Sequence, residues 1–502
     1  MNILKIRNIL LLVQIILLSV SCTGNTKAQV DPTNGFDFTI ANTTPKHIIL
    51  FIGDGMQYSN EVALSRYLHG TDTGLSWQDF DYRNFVTTWD IDTYNRFARQ
   101  KGVPAFSEDD FNPLIGYDPE KGGSEPWGFP GFKNENYFFR ALPTMGGGDN
   151  TYAIPATDSA SAATALATGI KTDTGNISWE SGDPLGGGLT SIAEILKQAG
   201  MAIGIVTTVE FSHATPAAFA AHSTSRGNTG EISQEIIHAT EPDVVAGAGH
   251  PDWVSGYISG GNVEYLQNSG EWVFVERQNG VDGSTSILHA SEEAVLEDKK
   301  LFGLYGGSTG CFGPTVVTDS PGNPSRNIKM EDPTLASAVE ASLKVLSQNE
   351  DGFFLMVEQG DIDWANHYND YGWMVGAMWD LNDAVEAAKD FIDIQGDDVT
   401  WENTLVIITA DHVTGGLRLS EENRPAIGDL PEQHGEKYHY NYPGGEIDYL
   451  TTQHTNEPVM IYAQGAGIDL FAQYHGMWYP GTSLIDDTQI YEVMMEFAGV
   501  TQ

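Results

Sequence analysis

Short apolar runs alternate with amphipathic stretches along most of this chain. The runs HIILFI (47–52), AIGIVTTV (202–209), FFLMVE (353–358), TLVIITA (404–410) and PVMIYA (458–463) carry almost no polar interruption. Near-continuous aliphatic and β-branched runs of this length predict strands covered on both faces, as in a parallel sheet. Between them the period changes. LTSIAEILKQAG (189–200) sets Ile192, Leu196 and Ala199 on one stripe and stops at Gly200, a helix-ending signal. DPTLASAVEASLKVLSQ (332–348) and YGWMVGAMWDLNDAVEAAKDFI (371–392) repeat the helical pattern. Strand-helix alternation predicts an α/β fold: a three-layer sandwich, with a central mostly parallel sheet and helices on both faces. Three stretches break the alternation, at 89–150, 245–330 and 417–452. They read as long insertions within one domain that runs from about residue 45 to residue 502. There is no internal repeat.

Composition narrows the function class. The chain has 502 residues and a net charge of −43, from 68 acidic and 25 basic side chains. A nucleic-acid binder needs a basic footprint, so that class is excluded. The acidic balance reads as a solvated surface suited to a salty medium. At the N-terminus, Lys5 and Arg7 precede the apolar run Ile9–Val20, which is shorter than a membrane span and has the form of an export signal within residues 1–28. Two cleavage points fit. One lies before Cys22, in LLSVSC, and would leave a lipid-anchored protein. The other follows Ala28. Either outcome leaves Cys311 without an internal disulfide partner, in a periplasmic, outer-membrane-anchored or secreted protein.

Polar residues cluster where strands end. Asp54 follows the first strand in FIGDGM, Glu358 ends the third, and Asp411 and His412 follow TLVIITA. Open parallel sheets bind ligands at the carboxyl ends of their strands. Acids brought together there repel one another unless a cation neutralises them. EQGDIDWANH (358–367) adds Asp361, Asp363 and His367, and the last two are one helical turn apart. His454 lies in TQHTNEP, just before the last strand, and EFSHATPAAFAAHSTSRG (210–227) adds His213, Thr215 and Arg226. Mixed histidine and carboxylate ligands suit zinc, and all-oxygen sets suit magnesium. His434 and His439 read as ordinary polar residues. PATDSASAATALATGIKTDTG (155–175) raises a separate question: Ser159 stands where a loop turns into an Ala-rich helix, as either a helix cap or a nucleophile.

These segments together resemble the alkaline phosphatase family of metal-dependent phosphomonoesterases. GDGM, TDSASAATALATG, HATPAA with TSRG, VEQGDIDWANH, TADH and QHT occur in the family's order from about residue 45 onward. The resemblance implies two zinc ions and one magnesium ion. Asp363, His367 and His454 would hold the first zinc; Asp54, Asp411 and His412 would hold the second. Asp54, Thr215 and Glu358 would hold the magnesium. Ser159 would be the nucleophile and Arg226 the clamp on phosphate. His213 matches a position beside the magnesium, and Trp364 stands near the phosphate where other relatives carry Lys or His. Asp158 would cap the helix or orient Arg226, and Asp361 matches no ligand position. The implied reaction is hydrolysis of small phosphate monoesters through a phosphoserine, by two in-line displacements, with broad specificity and an alkaline optimum. Relatives are often homodimers, and long insertions suit an interface.

Two other classes were weighed on the residues. A phosphodiesterase, phosphonate hydrolase or sulfatase would share two metals, but Ser159, Arg226 and the Thr215–Glu358 pair favour the monoesterase. A calcium-binding surface protein would account for the acidity. It would leave Ser159, His213, His367, His412 and His454 unexplained.

Overall fold

The computed structural model describes residues 39–40, 46–117, 156–307, 310–313, 315–394 and 398–501. The export signal, Cys22, Ala28 and residues 118–150 of the first predicted insertion lie outside these. The predicted apolar runs form the centre of a ten-stranded sheet. In chain order its strands are β1 (Lys46–Gly53), β2 (Tyr82–Thr87), β3 (Ala202–Glu210), β4 (Val244–Ala248) and β5 (Trp272–Glu276). They continue with β6 (Lys300–Leu304), β7 (Gly352–Gln359), β8 (Thr404–Thr409), β9 (Val459–Gly465) and β10 (Ile485–Asp486). Their order across the sheet is β10-β2-β9-β8-β1-β7-β3-β4-β6-β5. β7 lies between β1 and β3 and is parallel to both, pairing Glu358 with Ile52 on one side and Thr207 on the other. Every strand runs the same way except β9, which is antiparallel to both β8 and β2.

Helices cover both faces. We label α1 (Tyr58–His69), α2 (Ser159–Thr168), α3 (Ile192–Gln198), α4 (Ala214–Ala220) and α5 (Gly283–Glu297). They are followed by α6 (Leu335–Leu346), α7 (Asp361–Tyr368), α8 (Tyr371–Ile392) and α9 (Asp487–Ala498). One layer joins α1, α5, α6 and α8; the other joins α2, α3, α4 and α9. The architecture is therefore the three-layer α/β sandwich expected. The core fills both sides of β1, β7 and β8, where Ile48, Leu50, Phe353, Leu355, Val406 and Ile408 are wholly buried. That double burial is why these strands lack polar alternation.

Two expectations need adjustment. Residues 245–330 are not only an insertion beside the sheet: β5 and β6, with most of β4, extend it to its edge. Each has five residues, and β5 keeps only Trp272 and Val273 buried, so neither shows a long apolar run. PVMIYA forms the buried β9, but reversed with respect to its neighbours. The 417–452 stretch is largely turns, with its two ends, Leu417–Leu419 and Ile447–Tyr449, paired as a short antiparallel ladder.

Candidate active site

The parallel strands end at one edge, and the polar residues predicted there meet. Asp54 continues β1 by one residue, its N–H donating to the Gln359 carbonyl at 3.1 Å. Gly55 then turns the chain with φ +69°, and a Cβ there would stand 2.8 Å from both the Asp363 Cα and the Thr414 hydroxyl. Only glycine fits this left-handed, crowded position. Its N–H donates to Asp411 Oδ1 at 3.0 Å, which ties the end of β1 to the end of β8. His454 arrives differently. Because β9 is reversed, the residues preceding it lie at the carboxyl ends of the other strands. A short ladder then pairs Thr414 with His454 and Val413 with Thr455.

Asp363, His367 and His454 converge. His367 Nε2 is 3.3 Å from Asp363 Oδ2, His454 Nε2 is 3.5 Å from Asp363 Oδ1, and the two Nε2 atoms are 3.2 Å apart. The Nδ1 of His367 faces the Thr452 carbonyl at 2.6 Å, and that of His454 faces the Thr157 carbonyl at 2.8 Å. A carbonyl only accepts, so both Nδ1 atoms carry the proton and both Nε2 lone pairs point inward. Two such lone pairs cannot face each other at this distance without a proton or a cation between them. Burial disfavours charge on His367, but Asp363 overrides it and pushes its pKa up to about 9. This donor set, with each histidine oriented by a carbonyl, fits a zinc ion.

Asp54, Asp411 and His412 form a second group, wholly buried, whose ligand atoms lie within 4.8 Å of one another. Asp363, His412 and His454 form another such group, so the two clusters adjoin. The His412 and His454 rings stack with centroids 3.7 Å apart. Burial and then the charges of Asp411, Asp363 and Glu358 push Asp54 well above the ordinary carboxylate range. Burial likewise pushes Asp411 to about 6 and Glu358 to about 7. The Thr207 hydroxyl donates to Glu358 Oε2. Among the described residues, Asp54 Oδ1, Asp411 Oδ2, Glu358 Oε1 and the Thr215 hydroxyl are buried without a hydrogen-bond partner. Buried oxygens in that state are destabilising unless something neutralises them. An oxygen-rich set of Asp54, Thr215 and Glu358 fits a hard cation such as magnesium.

Ser159 is not the helix cap. Asp158 is, its Oδ1 accepting from the Ser161 N–H at 3.1 Å. Ser159 is the first residue of α2, and its hydroxyl lies 3.2 Å from His412 Nε2. Asp158 Oδ2 also accepts from Arg226 Nη1 at 2.9 Å. Its pKa falls to about 2: burial opposes the charge, while Arg226 and the Ser161 donors outweigh it. His213 precedes α4 and sits 3.3 Å from Arg226 Nη2. Burial and the Arg226 charge lower its pKa to about 3, so it is neutral there. Trp364 is half-buried, edge-on to His213 at 6.1 Å.

A scan against family models matches the alkaline phosphatase model over residues 133–464. The chain belongs to the alkaline phosphatase family. It is 35% identical over 264 residues to alkaline phosphatase 4 of Bacillus subtilis, covering 52% of this chain and 50% of that protein. With the alkaline phosphatase of Escherichia coli K12 it shares 30% identity over 352 residues, 62% of this chain and 69% of the other. The chain spans about half the length of the Bacillus relatives it matches. Among solved structures, the alkaline phosphatase from the Antarctic bacterium TAB5 aligns with a TM-score of 0.56 at 20% identity, covering 91% of this chain and 99% of that one. That similarity concerns the fold.

Two histidines singled out earlier stay apart from the site. His434 is 53% exposed and pairs with Glu432, and His439 is exposed. Asp361 is buried, and burial together with Asp380 and Glu210 pushes it up to about 8. Three contributors were missed. The Thr414 hydroxyl donates to Asp363 Oδ1 at 2.5 Å and lies 3.4 Å from His412 Nδ1. Thr207 supports Glu358, and Ser161 supports Asp158. A signal existed for Thr414: two residues after His412 in extended chain, it faces the same side.

Proposed function

We propose that the protein hydrolyses phosphate monoesters at a site for two zinc ions and one magnesium ion, by way of a phosphoserine on Ser159. The observation that carries this is the placement of the Ser159 hydroxyl at the N-terminus of α2, 3.2 Å from His412 and on the helix that holds Arg226 through Asp158. Asp363, His367 and His454 would bind the first zinc, and Asp54, Asp411 and His412 the second. Asp54, Thr215 and Glu358 would bind magnesium. When bound, these ions supply positive charge that lowers the pKa of a nearby hydroxyl and neutralises an anionic phosphoryl group.

The chain's own residues account for the rest. Arg226 grips two nonbridging oxygens with its planar fork. The first N–H groups of α2 and its dipole favour the same anion. Ser159 Oγ forms a bond to phosphorus as the ester P–O bond breaks and the alcohol departs. Water then attacks from the vacated side, the Oγ–P bond breaks, and phosphate leaves with the serine hydroxyl restored. Small residues behind Ser159 let α2 pack closely, with Ala160 and Ala163 wholly buried. Contacts concentrate on the phosphoryl group, so specificity is broad, with Trp364 near the phosphate. Ligands that must be deprotonated to hold cations favour activity at alkaline pH. We also place the mature protein outside the cytoplasm, cleaved before Cys22 or after Ala28. Among the described residues no helix is long and apolar enough to cross a membrane.

The test is covalent trapping. Brief incubation with labelled phosphate at acidic pH, followed by denaturation, should leave label on Ser159, and Ser159→Ala should lose both label and most of the monoesterase rate. Label on another residue, an undiminished rate in the variant, or faster cleavage of diesters or sulfate esters than of monoesters would defeat the assignment.

A further inference from the structure

Arg226 is partly exposed, at 30%, yet its position is set from inside the protein. Nη1 is held by Asp158 Oδ2 at 2.9 Å and Nη2 by His213 at 3.3 Å. Each terminal nitrogen carries two N–H groups, so one on each remains for a ligand. The angle of that fork depends on the Asp158 carboxylate. Its Oδ1 accepts from the Ser161 N–H at 3.1 Å, the Gly175 N–H at 3.1 Å and the Ser161 hydroxyl at 2.8 Å. The backbone donors would exist with any residue at position 161. The hydroxyl would not. It is also the point where three further groups meet: Thr157 Oγ1 at 2.8 Å, Asp158 O at 3.2 Å and Asp90 Oδ2 at 3.3 Å. Asp90 is itself fixed by the Thr93 N–H at 2.6 Å and the Thr174 hydroxyl at 2.7 Å. Ser161 is 2% exposed and in the first turn of an Ala-rich helix, where alanine would be the better helix former.

We propose that Ser161 is a positioning residue for Arg226: its hydroxyl donates its one proton to Asp158 Oδ1, steadies the carboxylate that holds Arg226, and so pre-orders the guanidinium for phosphate. The proposal rests on the phosphatase reading of the site. A guanidinium that is ordered before binding loses less freedom when phosphate arrives, so this contact tightens both substrate and product phosphate. Removing it should weaken inorganic phosphate and let product leave sooner.

The experiment is a double-mutant cycle on the metal-loaded protein, with Ser161→Ala, Asp158→Ala and both together. Titration calorimetry measures the Kd for inorganic phosphate, and steady-state assays give kcat and KM for a monoester. Losing one hydrogen bond to a charged group predicts a rise in Kd of roughly 5- to 10-fold in Ser161→Ala, with KM rising and kcat unchanged or higher. In the Asp158→Ala background the same substitution should change Kd less than about 2-fold, because Ser161 acts through Asp158. Ser161→Ala favours the helix, so folding is not at risk, and a merely structural role would shift the melting temperature without this coupling. An unchanged phosphate Kd in Ser161→Ala, or an equal weakening in both backgrounds, would overturn the role of Ser161 alone. Native protein that neither binds phosphate nor cleaves monoesters would overturn the phosphatase reading, and this proposal with it.

Discussion

His222 offers a test of the electrostatics that anchor the segment leading to Arg226. It lies between α4 and Arg226. Nδ1 is 2.7 Å from Glu235 Oε1; Nε2 is 3.2 Å from Glu194 Oε2 and 3.0 Å from the Leu189 carbonyl. Burial disfavours its charge, but the two glutamates prevail and raise its pKa from 6.5 to about 10. A raised folded-state pKa means that the stabilisation is complete below the unfolded value and is lost as pH rises through the folded value. At about 1.36 kcal/mol per unit, the shift sets an upper limit of about 5 kcal/mol. Water screens part of this, since the glutamates are 22% and 30% exposed. A realised contribution of about 2 kcal/mol is then reasonable. His222→Gln should therefore unfold in urea with about 2 kcal/mol less stability than the native chain at pH 6. The gap should narrow above roughly pH 6.5 and close near pH 10. Lysines and tyrosines that titrate at high pH are common to both proteins and cancel in the difference. A gap of the same size at pH 6 and pH 10 would mean that the imidazolium is not what holds this segment.

Arg226→Ala should lower kcat/KM for a monoester by roughly 10²- to 10³-fold, the scale for removing one positioned donor from a developing charge, and a loss under 10-fold would refute the clamp. His454→Ala should lose the first zinc while keeping its fold, since the residue lies in a two-residue strand of a ladder separate from the main sheet; full zinc by elemental analysis would remove it from the ligand set. Prolonged chelation should abolish activity, and zinc with magnesium should restore it, whereas activity surviving chelation would exclude metal dependence. With a net charge of −43, the chain should keep or gain thermal stability on adding roughly 0.5 M sodium chloride, where the Debye length is only a few Å, and a clear fall in midpoint would contradict a self-repelling surface.

The sequence revealed the site better than it revealed the sheet. β1, β7 and β8 were legible because each is buried on both faces, which leaves an uninterrupted apolar run and places Asp54, Glu358 and Asp411 at a common edge. The same logic located Asp363 and His367 on one turn of α7. It could not give the direction of β9, because a buried run reads alike in either sense. The short β5 and β6 escaped because five residues carry too little pattern to stand out from a turn-rich stretch. Supporting hydroxyls escaped for another reason. Thr207 and Ser161 are small polar residues within apolar or Ala-rich segments, where nothing local distinguishes a designated donor from a tolerated one; Thr414 alone carried a signal, in its spacing from His412.

That difficulty bears on how one helical turn carries so much of the site. In Asp158-Ser159-Ala160-Ser161, the cap must leave the helix axis to accept from the backbone, and this same outward turn directs its second oxygen to Arg226. The next residue begins the helix, so its hydroxyl leaves the turn toward His412 instead of bonding the backbone. Ser161 lies three residues beyond the cap, where its backbone N–H must meet Asp158 and its side chain sits behind the same carboxylate. Capping geometry thus sets Ser159, the proposed nucleophile, Asp158, which both caps the helix and holds Arg226, and Ser161 at neighbouring positions. A substitution at Asp158 would disturb all three at once, whereas Ser161→Ala leaves the cap and Ser159 in place. For that reason Ser161→Ala, not a change at Asp158, is the substitution that tests the proposed grip on phosphate while leaving the helix that carries Ser159 unchanged.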